Sequence, residues 1–252
     1  MMEISQRVSP KLSQTSNNIF LNEKLLARVK SIYDKKEQLN LSTEDAKLLE
    51  DLYESFKANG ATLNKDDKEK YRKLSMDLSM LTLQFDQNAL KDKNRFELLI
   101  TDENELSGLP ESARDAAAML AKSKDKDGWL FNLSAPSYIP FMRYSDKRDL
   151  REKMYREYMS VGNKGDEFDN KDIIKKIVNI RLEIAQLMGF KNYAEYALEH
   201  TMAKNSANVY KLLNQLLEAY KPIAINEYNA VEGFALGTEK ENITVMPWDW
   251  SY

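Results

Sequence analysis

Residues 64–91 read NKDDKEKYRKLSMDLSMLTLQFDQNALK, and the spacing of their apolar side chains predicts a long helix. After an N-cap at Asn64, large apolar side chains recur at alternating steps of three and four, as on one face of a packed antiparallel helix. They are Tyr71, Leu74, Leu78, Leu81 and Phe85. At 1.5 Å per residue the helix is roughly 40 Å long. An interaction helix would show the same spacing, but a core helix of a bundle is the favoured interpretation.

The rest of the chain also has a helical pattern, because only 8 glycines and 6 prolines interrupt its 252 residues. One helix is predicted from near Asn22, and another begins at Ser42, where Asp45 completes a capping pattern, and ends at Gly60. Further helices are predicted at Glu111–Lys122, Asp146–Val161 and Lys171–Met188, after the capping pattern of Asn192 and Glu195, and from Asn205 or Ser206 onward. Pro222 lies inside the last helix and should bend or split it, because proline lacks an amide hydrogen and clashes one turn back.

Two short segments break the helical period. Alternate residues are apolar in Asn94–Thr101 and in Trp129–Ser134, and a period of two over that length predicts strands. The strands Phe96–Ile100 and Trp129–Leu133 should pair as a ribbon, with the helix Glu111–Lys122 as an excursion between them. The predicted fold class is therefore mainly α, a long-helix bundle with one small two-stranded β ribbon.

Composition and charge exclude several classes of protein. Hydrophobic residues make up 42% of the chain and charged residues 31%, which is typical of a globular domain with a charged surface. The net charge of −3 disfavours a nucleic-acid-binding protein, which normally has a basic face. There is no cysteine, which excludes disulfides and thiolate metal sites. The sequence contains no run of 18 apolar residues, so no membrane-spanning helix is predicted.

His200 is the only histidine, and this fact removes most catalytic architectures. One histidine cannot form an HExxH motif, and the sequence EHTMA at 199–203 does not resemble it. Zinc on one histidine plus carboxylates, or a triad based on His200, would need partners brought in by the fold, and no nucleophile elbow is visible. A helix-end histidine that faces solvent or a neighbouring carboxylate is the favoured interpretation.

Two weaker candidate sites also carry little signal. The 40 acidic residues are so dense that carboxylate pairs at helical spacing arise by chance. The loop GNKG at 162–165 precedes a helix and could hold phosphate, but a plain loop is favoured. The sequence therefore predicts no catalytic, cofactor-binding or metal-binding residue in this chain.

The last six residues are unusually aromatic. Residues 247–252 read PWDWSY, and their two tryptophans and one tyrosine carry more apolar area than a terminus usually leaves exposed. We expect the surface that covers them to be encoded downstream of Tyr252.

Four segments in register resemble the thimet-oligopeptidase and peptidyl-dipeptidase family of zinc metallopeptidases, of the oligopeptidase A-like kind. They are LMGFKNYAEYALEHTMAKNSANVYKLLNQLL at 187–217, PWDWSY at 247–252, two blocks within 53–90, and LSAPSYIPFMRYSDKRDLREKMY at 133–155. The first matches the family at Leu187, Gly189, Phe190, Tyr193, Ala194, Met202 and Ala203. Met188 is a departure, inserted between Leu187 and Gly189. The resemblance extends from about Asn18 to Tyr252.

The resemblance implies a two-lobed helical protein around a deep channel that admits oligopeptide substrates and excludes folded proteins. In the family one zinc ion per chain is held by the two histidines of HExxH and a later glutamate, and the motif glutamate activates the metal-bound water. Those residues lie C-terminal to the segment that matches PWDWSY, so none can be carried over to this chain. This chain is expected to be the non-catalytic channel wall of a zinc-dependent peptidase, inactive alone, with the missing catalytic lobe as its partner.

Within that reading, 1–92 is a helical hairpin or bundle, 93–135 the ribbon with its inserted helix, and 136–252 the segment leading to the catalytic region. Dipeptidyl carboxypeptidase and endo-oligopeptidase specificity both stay open. The location is expected to be cytoplasmic, or periplasmic if a signal peptide precedes the chain. The alternative function is a free-standing helical protein-interaction module, which the ordered resemblance disfavours.

Overall fold

The computed structural model describes residues 2–238 and 244–252. Helices α1 to α4 are Met2–Phe20, Glu23–Tyr33, Thr43–Ala58 and Lys65–Arg95. Strand β1 is Leu98–Ile100, helix α5 is Glu111–Ser123 and strand β2 is Trp129–Phe131. Helices α6 to α10 are Ala135–Tyr144, Arg148–Met159, Lys171–Leu187, Tyr193–Leu198 and Ser206–Thr238. Over the described residues the protein is mainly helical with one small antiparallel sheet, so the predicted fold class is confirmed.

The predicted helix starts are confirmed by their capping hydrogen bonds. Asn22 and Asn64 each accept a bond from the amide three residues on, at 3.1 and 2.9 Å. Ser42 accepts from the Asp45 amide at 3.1 Å and donates to the Asp45 carboxylate at 2.7 Å. Such bonds satisfy amides that the first helical turn leaves unpaired. Gly60 follows α3 with φ of 81°, the left-handed conformation that commonly ends a helix.

The β ribbon is confirmed, although both strands are shorter than predicted. Leu98 pairs with Phe131 and Ile100 with Trp129 in antiparallel register, and α5 lies between the strands in the sequence. Each strand loses two of the five predicted residues. Strand β2 ends because the Asn132 amide donates to the Ser137 hydroxyl at 3.0 Å, which removes it from the ladder.

Two helices were not predicted. Helix α1 contacts α4 through polar side chains: Gln6 donates to Gln87 at 2.8 Å, and the hydroxyl oxygens of Ser9 and Ser79 are 2.9 Å apart. Most of its apolar side chains, including Leu12, are exposed and only Phe20 packs against Phe56, so α1 buries little of the apolar stripe that marks a helix in a sequence. Helix α6 contains two prolines, which normally argue against a helix.

The predicted split of the last helix at Pro222 is wrong, and the alternative of a bend at Pro222 stays a prediction. Helix α10 is continuous over Ser206–Thr238 with Pro222 inside it. A proline in a helix interior removes one hydrogen bond and strains the preceding turn, but the remaining bonds of a 33-residue helix can hold the ladder together on both sides.

The chain divides into two compact units, each with its own core. Unit 1 comprises Met1–Gln87 and Asp172–Tyr210, and unit 2 comprises Asn88–Lys171 and Lys211–Tyr252. The buried residues of unit 1 form two clusters: Leu21, Tyr71, Leu74 and Ile184, and separately Val29, Leu49, Phe56 and Ala61. The buried core of unit 2 includes Leu98, Ile100, Leu106, Phe131, Leu133, Phe141, Met154 and Trp248. The three-part subdivision at residues 92 and 135 stays a prediction.

Candidate functional site

His200 lies just after α9, in unit 1, beside two carboxylates. Its Nε2 is 3.4 Å from Glu199 Oε2 and 3.9 Å from Glu54 Oε2, and its side chain is about half exposed. These groups line an open cavity of about 740 Å³ together with Lys47 and Lys204. His200 thus lies at a helix end beside carboxylates, as expected, and its assignment as a residue without a catalytic or metal-binding role stays a prediction.

The zinc implied by the resemblance does not fit this cavity. Glu54 already forms an ion pair with Lys57 at 2.8 Å, and a metal ion there would have to compete with that ammonium group. His200 would be the only nitrogen ligand, whereas catalytic zinc is usually held by two or three strong protein donors of which histidine is the commonest. Within residues 2–238 and 244–252, no three His, Asp or Glu side chains are grouped to hold a metal ion. In the same residues, no helix is long and apolar enough to cross a membrane.

The loop at 162–165, the weak phosphate candidate, is occupied by a carboxylate of the chain itself. Asp92 of α4 is fully buried and accepts from the Gly162 amide at 2.7 Å, Arg95 Nε at 2.7 Å and Lys164 Nζ at 3.3 Å. Burial alone would lower the pKa of Lys164, but hydrogen bonds to Glu157 and Asp92 raise it overall. The loop's donors are thus used internally, which favours the plain-loop interpretation.

A second polar cluster of unit 2 lies at the segment Pro247–Tyr252. Asp249 accepts from Arg148 Nε at 3.0 Å and from Arg148 Nη2 at 2.7 Å, a bidentate contact. It also accepts from Arg151 Nη2 at 2.9 Å and from the Met246 amide at 3.0 Å. We call Arg148, Arg151 and Asp249 the arginine clamp. Bidentate arginine–carboxylate pairs fix both distance and orientation.

Arg151 is the buried member of the clamp. Its side chain is only 3% exposed, and its remaining donors bind the Ser145 carbonyl at 2.6 Å and the Trp248 carbonyl at 3.2 Å. Its guanidinium lies 3.9 Å from the centre of the Tyr252 ring, a cation–π contact. Every side of this buried charge therefore meets an acceptor or an aromatic face.

The charge of Asp249 is stabilised by this arrangement. Burial alone would raise the pKa of Asp249, but hydrogen bonds from Arg148, the Met246 amide and Arg151 outweigh it and lower the pKa below the usual 3.8. Asp146, which accepts from Ser107 and from the Tyr252 hydroxyl, likewise has a lowered pKa. As anions, the two carboxylates anchor the 247–252 segment: Asp249 binds the arginines of α7, and Asp146 binds the Tyr252 hydroxyl.

The expectation for the aromatic terminus is corrected for one residue. Trp248 is 5% exposed and belongs to the core of unit 2, so its covering surface lies within this chain and not downstream. Trp250 is 51% exposed and Tyr252 is also exposed. The sequence shows that the segment is rich in aromatic residues, but it does not show which of them face the core and which face outward.

Sequence reasoning missed the clamp. Its signal was weak: Arg148 and Arg151 are three residues apart, so they share one face of α7, and Asp249 stands between two tryptophans. The partners are about a hundred residues apart in the sequence, and only folding brings them together.

Comparison with known proteins agrees with the resemblance. The sequence profile of peptidase family M3 matches residues 141–252. Over the whole of this chain, oligopeptidase A of Salmonella typhimurium is 33% identical and dipeptidyl carboxypeptidase of Escherichia coli is 28% identical. Oligopeptidase A of Haemophilus influenzae is 34% identical over 99% of the chain. The chain spans 38% of the length of the Salmonella relative and 37% of the other two.

In sequence the chain is thus similar to proteins named oligopeptidase A and dipeptidyl carboxypeptidase. Residues 141–252 match the model of peptidase family M3 and the whole chain is similar in sequence to oligopeptidase A, so the resemblance seen in the sequence is confirmed.

Proposed function

We propose that this chain is the non-catalytic helical part of a zinc-dependent peptidase that hydrolyses oligopeptides. The observation that carries the proposal is similarity over the full 252 residues to an oligopeptidase A, at 33% identity. The names of the relatives include both oligopeptidase A and dipeptidyl carboxypeptidase, so the substrate class is short peptides and the cleavage position stays open.

In this proposal the chain contributes channel wall and no reacting group. The parent polypeptide binds one zinc ion through histidines of an HExxH motif, and this chain contains a single histidine and no such motif. Without a metal-bound water, peptide hydrolysis at neutral pH needs an activated nucleophile instead. In the structure the ion-pair partners of His200 are the carboxylates of Glu54 and Glu199, which can orient an imidazole but are not the hydroxyl nucleophile that a triad requires.

The partner in this proposal is the catalytic lobe of the same polypeptide. Helix α10 supports this, because its apolar side chains are largely exposed around the helix, among them Leu213, Leu217, Tyr220 and Ile223. A helix that is apolar on most sides is normally a core helix of a larger protein. We propose a cytoplasmic location, in keeping with the absence of cysteine.

A peptide-cleavage assay tests the proposal. The full polypeptide should cleave a quenched-fluorescent peptide of about ten residues, lose activity with a zinc chelator and regain it when zinc is restored. The 252-residue chain should cleave nothing and bind no stoichiometric zinc. A full polypeptide that leaves the peptide intact, or cleaves it regardless of the chelator, would contradict the proposal. A free-standing interaction module predicts no cleavage by either protein.

A further inference from the structure

The segment Pro247–Tyr252 has one buried and one exposed side. Trp248 is 5% exposed and packs in the core of unit 2 with Met246. Two residues further on, Trp250 is 51% exposed. A segment that buries one tryptophan and presents the next has a defined outer face, because both indole rings are attached to the same fixed backbone.

The arginine clamp is what fixes that backbone. Asp249 lies between the two tryptophans and accepts hydrogen bonds from Arg148, Arg151 and the Met246 amide. The buried Arg151 also binds the carbonyl of Trp248. Anchoring on both the side chain and the main chain leaves the segment little freedom to rotate Trp250 inward.

A residue of α10 extends the outer face. The Tyr228 ring stacks on the Trp250 ring with an interplanar angle of 12° and a centroid distance of 6.2 Å. The Tyr252 ring lies over Arg151, and its hydroxyl donates to Asp146. We call Tyr228, Trp250 and Tyr252 the aromatic face. All three rings are more than a third exposed although each has a fixed neighbour.

We propose that the aromatic face is a docking surface for the catalytic lobe of the parent polypeptide, and that Asp249 is a positioning residue that orients it. This inference rests on the proposed function. Rigid tyrosine and tryptophan side chains bury large areas at a low cost in conformational entropy, which is why they are enriched at the centres of interfaces. Pre-ordering by the clamp means that little further order has to be imposed on docking.

The choice of occupant follows from the comparisons and the chain's own contacts. The family match includes residues 247–252, and the relatives that contain this stretch are more than twice as long as the chain. The aromatic face also continues along α10, whose exposed apolar residues need covering by something much larger than a peptide. A second copy of this chain is the competing occupant, and the test below separates the two.

Hydroxyl-radical footprinting read by mass spectrometry tests the docking. The oxidation rate of Trp250 is compared between the 252-residue chain and the full polypeptide, with Trp248 in the same peptide as the internal reference for a buried indole. Docking should lower the Trp250 rate by about tenfold, the ratio between its 51% exposure and the 5% of Trp248. An unchanged Trp250 rate in the full polypeptide overturns the proposal. So does protection in the chain alone that grows with its concentration, because that outcome indicates a second copy.

The positioning role of Asp249 has its own readout. In the full polypeptide, Asp249→Asn should raise the Trp250 oxidation rate at least about threefold, because the neutral amide cannot hold both arginines. The control Glu152→Gln removes an exposed ion pair with Arg156 on α7, the helix that also carries Arg148 and Arg151. It should leave the Trp250 oxidation rate unchanged. Equal rates for Asp249→Asn and the control overturn the positioning role. Footprinting does not depend on peptide cleavage, so loss of the docking surface and failure of the peptidase proposal give different results.

Discussion

Removing the Asp249 carboxylate is the perturbation with the clearest expected cost. Asp249→Ala deletes the acceptor of two arginines, of which Arg151 is 3% exposed and Arg148 is 39% exposed. Breaking a buried ion pair by removing one partner costs about 3–5 kcal/mol, because the remaining charge stays buried. Arg148 can turn to water, and Arg151 keeps the carbonyls of Ser145 and Trp248. We therefore expect unit 2 to lose about 2–3 kcal/mol.

Urea unfolding followed by tryptophan emission measures this loss selectively. The three tryptophans of the chain, Trp129, Trp248 and Trp250, all belong to unit 2, so the signal reports that unit alone. Glu152→Ala is the matched control, because it deletes a carboxylate from α7 that pairs with Arg156 at the surface. Exposed pairs of this kind contribute about 0.3–0.5 kcal/mol. If Asp249→Ala unfolds at the same urea concentration as the control, the clamp does not stabilise unit 2.

Three further predictions concern the same unit. Folding lowers the pKa of Asp249, so its contribution to stability is fully present above the unfolded pKa of 3.8 and is lost as pH falls through the folded pKa. The difference in unfolding free energy between wild type and Asp249→Asn, measured by urea titration from pH 7 to pH 2.5, should therefore shrink at the acid end. A difference that stays constant over this range would contradict the prediction. Gly108→Ala should lower the unfolding free energy by at least about 3 kcal/mol, because φ is 81° and the new Cβ would lie 2.0 Å from the Tyr144 carbonyl oxygen. Gly165→Ala, where φ is 73° and the space around a Cβ is open, should lower it by only about 1–2 kcal/mol. Equal losses for the two variants in urea unfolding would contradict the role of the close contact at Gly108. Pro222→Ala should restore a hydrogen bond inside α10 and raise stability by about 1–3 kcal/mol in thermal unfolding by circular dichroism, and a lower melting temperature would show that the helix needs the proline.

Local patterns predicted most of the fold. Asn22, Ser42 and Asn64 were visible as caps because each satisfies an amide only three residues away. The ribbon was visible because a period of two is a property of the strand itself. Helix α1 was missed because it contacts α4 through polar groups such as Gln6 and leaves apolar side chains exposed. The split predicted at Pro222 was wrong because the local cost of one proline is smaller than the cooperative stability of a long helix.

The candidate site was less predictable for a different physical reason. The clamp joins α7 to Asp249 across about a hundred residues of sequence, and no local pattern encodes such a pairing. Trp248 and Trp250 are the same residue type and lie two positions apart, yet Trp248 is buried and Trp250 is exposed. Tertiary contacts decide which side chain faces the core. The sequence was therefore enough to show the family resemblance, but not to show which residues the folded chain exposes.

Peptide cleavage by the full polypeptide is the direct test of the peptidase assignment. We expect the full polypeptide to hydrolyse a short quenched-fluorescent peptide, to lose the activity with a zinc chelator and to regain it when zinc is added. The 252-residue chain, measured alongside at the same concentration, should show no cleavage above buffer. Chelator-sensitive cleavage by these 252 residues alone would contradict the scaffold role, and an intact peptide after incubation with the full polypeptide would contradict the peptidase assignment.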